Sequence, residues 1–74
     1  MTLDRSCIGR TYTIEAMHLP EATEKRLQAL GMTLGTAVAV LNNKNKGTLI
    51  IKVRGTRFAL GRSISSSIQV RERP

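Results

Sequence analysis

The chain has 74 residues, twelve Lys and Arg against five Asp and Glu, a formal charge of +7 and an isoelectric point near 10.9. This length supports one small domain, residues 1–74, with a folding stability of about 4–11 kcal/mol, and the charge favours an anionic partner: nucleic acid, an acidic protein surface or an anionic membrane leaflet. The lone Cys7 excludes an internal disulfide, no apolar run approaches the roughly 20 residues that span a bilayer, and Asp4, Arg5 and Cys7 stand where a secretory leader would be hydrophobic, so a soluble cytoplasmic domain is expected.

Residues 1–7 show no period and are expected to form a loose lead-in to a core spanning about 9–71. Tyr12, Ile14 and Ala16 then alternate with Thr11, Thr13 and Glu15, the period of a half-buried first strand. A helix is predicted over about 20–30. Pro20 opens it where a missing N–H costs nothing, Glu21 and Glu24 suit its positive end, and Lys25 and Arg26 follow toward its negative end. Leu27 and Leu30 lie three apart and are expected to face the sheet together as a lid. Gly31 falls where a left-handed capping residue is wanted, which puts Met32 in position to pack back on Leu27 in a Schellman ending.

Thr33 to Gly35 read as a turn. The small apolar run from Thr36 to Leu41 suits a central strand buried on both sides. A lysine-bearing loop, Asn42 to Gly47, leads to a strand whose Leu49, Ile51 and Val53 point one way and Lys52 and Arg54 the other. Gly55-Thr56 has glycine first, as a type II′ hairpin requires, and that register would set Arg54 opposite Arg57, Val53 opposite Phe58 and Ile51 opposite Leu60. Gly61 ends the fourth strand. Ser63 is a candidate cap for a short helical turn over about 62–67, and Ile68 and Val70 alternate with Gln69 and Arg71 in a fifth strand. One helix among five short strands indicates a mainly β, SH3-like five-stranded barrel, whose closure would remove exposed edges.

Catalytic chemistry finds little purchase in these residues. His18 is the single histidine and no paired carboxylate motif accompanies it, so no nucleophile, base and orienting group converge in the sequence. His18 and Cys7 also lack the paired spacing of structural or catalytic metal sites, which leaves His18 a weak candidate ligand for ferrous iron or another divalent transition metal, with Asp4 or Glu15 in support. The six glycines fit neither the Walker spacing nor a dinucleotide fingerprint. Tyr12 and Phe58 are the only aromatic residues, too few for base stacking or a proline-rich-peptide groove. Surface recognition remains, and the candidate patch is Lys52, Arg54 and Arg57, joined by Lys44 and Lys46 from the adjoining loop.

Arg26-Leu27, Leu30-Gly31-Met32 and Gly35-Thr36, followed by a glycine loop, Val53-Arg54-Gly55, Ala59-Leu60 and Ile68 with Val70, give an order and spacing that resembles the FeoA family. The leucine-glycine-methionine element with its following Gly-Thr is the specific part; Leu27, Leu30, Gly31, Met32, Gly35 and Gly55 carry the structural motif. The resemblance implies an SH3-like domain related to the C-terminal domains of iron-dependent repressors. It further implies a small cytosolic accessory or regulator of FeoB, a membrane ferrous-iron transporter with a cytosolic GTP-binding domain, together with transition-metal binding and no catalysis. Gly61 departs from the family, where arginine often follows Ala-Leu, and the segment between first strand and helix is short. Two other readings stand beside it: a basic SH3-like module for nucleic-acid phosphates, and a metal-sensing domain that would need a DNA-reading partner chain. Strand edges or helix faces could also pair copies into a homo-oligomer.

Overall fold

The computed structural model describes residues 1–44 and 47–73. Five strands form one antiparallel sheet in the order β4-β3-β2-β1-β5, where β1 is Thr11–Met17, β2 Ala37–Asn43, β3 Leu49–Val53, β4 Thr56–Leu60 and β5 Ile68–Glu72. Alternation drives each strand's facing: Tyr12, Ile14, Val38, Val40, Leu49, Ile51, Val53, Leu60, Ile68 and Val70 all turn inward and are nearly inaccessible to water. Register shifts at Glu15 and Leu41 bend β1 and β2. The SH3-like sheet is as expected, with one correction. Its ladder does not close, because among the described residues no pairing joins β4 to β5.

The helix α1, Glu21–Ala29, ends as the sequence predicts. The Met32 N–H donates to Leu27 O at 3.0 Å and the Gly31 N–H to Gln28 O at 3.0 Å, the paired bonds of a Schellman ending, with Gly31 at φ 100°. Leu27 and Met32 are thereby carried into the core. Leu30 is not: it is the C-cap residue at the end of the helix, and its side chain is 47% exposed. At the other end the Glu24 carboxylate accepts the Leu19 N–H at 3.1 Å, satisfying a donor beside the helix start.

Three further expectations are corrected. The first residues are not a loose lead-in: Leu3–Arg5 form a 3-10 turn with Leu3 fully buried. Side chains tie that turn down, since Asn43 Nδ2 donates to the carbonyls of Asp4 and Ser6 and the Tyr12 hydroxyl accepts the Cys7 N–H. β2 is central in the sheet but is not buried on both sides, because Ala37 and Ala39 lie half-covered on the outer face. The short helical turn is α2, Arg62–Ser65, continued by bonds from Ser66 and Ser67, and its N-cap is Gly61 in place of the predicted Ser63.

Three substitutions test this packing. Leu3→Ala empties a fully buried site and should lower the unfolding free energy by about 2–4 kcal/mol in urea denaturation, whereas Leu30→Ala should change it by less than about 0.5 kcal/mol. Gly31→Ala forces an L side chain into the left-handed region and places a Cβ 3.1 Å from Arg54 Cδ; it should cost about 1–2 kcal/mol in the same measurement.

Candidate functional site

The β3–β4 ribbon carries most of the predicted cationic patch, and its turn decides how those charges are arranged. Val53 pairs with Thr56, so the two loop residues are Arg54 and Gly55, at φ 52° and 83°. Two left-handed residues in a two-residue loop are what a type I′ turn requires. This corrects both the predicted type II′ turn and its register. Ile51 lies opposite Phe58 and Leu49 opposite Leu60, while Arg57 faces Lys52 and not Arg54.

Lys52 and Arg57 therefore form a like-charged cross-strand pair on the outer face, both exposed. Their position one step from the closing Val53–Thr56 pair makes them a non-hydrogen-bonded pair, with Cα atoms about 4.5 Å apart and side chains at their closest. The same row continues through Ala39 of β2 to Thr11 of β1. Two long cations thus stand beside small neighbours on an outer face whose next row runs Ala37, Thr13, Arg71. Among the described residues the ion pairs are Arg10 with Glu72, Lys25 with Glu21, and Arg71 with Glu15, and none reaches Lys52, Arg54 or Arg57.

Arg54 occupies a different place. It sits at the hairpin tip with its side-chain stem over Gly31, beside the C-terminal end of α1, where the helix dipole favours a cation. Lys44 lies beyond the far end of the ribbon, about 13 Å away at roughly 3.3 Å per residue; its carbonyl accepts the Gly47 N–H and its N–H donates to Thr48 O. Lys46 lies outside the described residues. The structure thus brings together two of the five predicted cations and spreads Arg54 and Lys44 to opposite ends. Arg62 leans on Gly47 at the loop end, a placement the sequence did not signal.

A shallow hollow is lined by Gly9, Arg10, Thr11, Glu72 and Arg73. Its cations are already engaged. Arg10 is bound by Glu72, whose hydrogen bond and charge raise the guanidinium pKa further, and Arg73 donates to Thr13 Oγ1 at 2.7 Å and reaches Gly35 O at 3.5 Å. His18 is exposed on the connection from β1 to α1, its backbone N–H bound to Ser67 O at 2.8 Å. Among the described residues no three of His, Cys, Asp and Glu come together, so the donors present do not fit a metal centre within one copy of the chain. Cys7 is exposed.

No curated protein sequence matches the chain. A crystal structure of an iron uptake regulatory protein, FeoA, is 26% identical and superposes with a TM-score of 0.88, covering 97% of this chain and 96% of that one. FeoA of Stenotrophomonas maltophilia, a procaryotic SH3 domain protein solved with zinc, is 29% identical with a TM-score of 0.80, covering 96% of this chain and 89% of that one. ScaR with bound zinc shares the fold at 20% identity and a TM-score of 0.82, the match covering 95% of this chain and 35% of that protein. The FeoA domain model matches residues 1–72, and with the Schellman-capped helix set into an SH3-like sheet as in these relatives, the chain belongs to the FeoA family.

Proposed function

We propose that this domain is a cytosolic accessory of ferrous-iron transport that regulates a FeoB-type membrane transporter by docking on it, with the Lys52–Arg57 pair as the centre of the docking surface. The family match supports the transport role, and the Stenotrophomonas relative is itself proposed to act as a ferrous iron transport activating factor. The observation that carries the docking surface is the cross-strand register of Lys52 and Arg57. Like charges directly opposite one another destabilise a strand pair, and an acidic surface placed against them converts that repulsion into attraction. Arg54, at the tip of the same hairpin, extends the positive surface toward α1.

The role read here is one of surface recognition: His18, the single histidine, is exposed, and among the described residues no three of His, Cys, Asp and Glu cluster. Transition-metal contact through His18 would need ligands from a second molecule. For the nucleic-acid alternative, log affinity must fall steeply with log salt in proportion to the phosphates neutralised; a protein dock centred on two cations gives a shallow dependence.

Lys52→Glu separates a docking role from a structural one. Replacing the like-charged pair by an opposite one should raise stability by about 0.2–1 kcal/mol in urea denaturation, while weakening binding to the transporter's purified cytosolic portion at least tenfold in low-salt titration calorimetry. Binding unchanged in this variant, or absent in the parent chain at low salt, removes the basis of the proposal.

A further inference from the structure

The two edges of the open sheet are treated differently. At β5 the outer edge is covered: the Val70 N–H donates to Met1 O at 2.8 Å, the Met1 amino group donates to Val70 O at 3.3 Å, and Thr2 bridges to Gln69. At β4 no described group takes that place. The type I′ register says which backbone groups are left. In an antiparallel pair, hydrogen-bonded and non-hydrogen-bonded pairs alternate. Counting from the closing pair Val53–Thr56, residues Thr56, Phe58 and Leu60 exchange their bonds with β3, so the N–H and C=O of Arg57 and Ala59 point away from the sheet.

We infer that β4 is a docking edge that takes up an extended acidic segment of the partner by strand addition, with the backbone of Arg57 and Ala59 as its pairing groups. This rests on the docking reading above and names its geometry. Arg57 and Ala59 are both exposed, and they offer two donors and two acceptors along a five-residue strand. Side chains specify the guest. On the outer face an added strand runs beside Arg57 with Lys52 behind it, which selects carboxylates at alternate positions. On the inner face its intervening residues meet Phe58, which packs against the core yet stays partly exposed at the edge, and there an apolar side chain completes the cover.

A second copy of the chain is a poor guest. Pairing β4 with β4 brings Arg57 and Lys52 of one copy against those of the other, between molecules that each carry +7. The acidic, alternately apolar segment therefore belongs to a different protein.

Amide hydrogen exchange on the full 74-residue chain, followed by NMR, tests this directly. In the free domain the amides of Arg57 and Ala59 should exchange at least tenfold faster than those of Phe58 and Leu60. A saturating octapeptide alternating Glu and Val, or the transporter's cytosolic portion, should slow Arg57 and Ala59 at least tenfold. Ala59→Pro removes one outward donor without breaking a β3–β4 bond, and should weaken binding of both probes at least tenfold. Binding that leaves Arg57 and Ala59 exchanging as before overturns strand addition while the charged dock stands, and so does a folded Ala59→Pro chain that binds as well as the parent. Failure of both probes to bind at low salt overturns the two together. If Ala59→Pro does not fold, the exchange rates of the parent chain decide alone.

Discussion

The turn at Arg54-Gly55 is the constraint on which this architecture's outward chemistry depends. Placing both loop residues at positive φ closes the hairpin on Val53–Thr56, and every pairing along β3 and β4 follows from that closure. It brings Lys52 against Arg57, stacks Ile51 beside Phe58 over the core, and turns the backbone of Arg57 and Ala59 outward. The tip is held in turn by α1: Gly31 has no side chain, which lets the Arg54 stem lie across the helix ending. A left-handed arginine costs local stability where asparagine or glycine would be the easier choice. Its proximity to the helix C-terminus offsets part of that cost.

Much of the fold was legible because its elements announce themselves locally. The Schellman ending was readable from Gly31 and Met32 because only one register satisfies both a left-handed glycine and a buried following residue. Strand facing was readable from alternation, and it survived the wrong hairpin register for a geometric reason. Moving the loop by one residue along the chain shifts each cross-strand partner by two, so the inward set stays inward while the identity of each partner changes. The missing signal was Arg54 itself, since nothing in an arginine marks it for positive φ, and glycine at 55 fits the second loop position of one turn as well as the first of another.

Other expectations failed where position in the fold, and not local pattern, decides burial. Leu3 is a single apolar residue in an aperiodic stretch, and the backbone around it is held by Asn43, far along the chain, and by the nearby Tyr12 hydroxyl. Leu30 falls on the helical period of Leu27 but is the C-cap residue at the end of the helix, where its side chain stays exposed. The alanines of β2 read as buried because alanine is apolar, yet Ala39 stands beside Lys52 on the outer face and Ala37 lies in the row after it. The candidate site was thus half legible: charge and composition indicated a cationic hairpin, while its division into a paired centre, a tip and a distant loop needed the register. β4's status as the open edge required knowing that Met1 and Thr2 cover β5.

The register is most directly measured by interstrand proton contacts in solution. The account predicts a strong Hα–Hα nuclear Overhauser effect between Lys52 and Arg57, the signature of a non-hydrogen-bonded antiparallel pair. A strong Hα–Hα effect between Val53 and Phe58 in its place would return the turn to Gly55-Thr56 and contradict both the cationic pair and the outward backbone of Arg57 and Ala59.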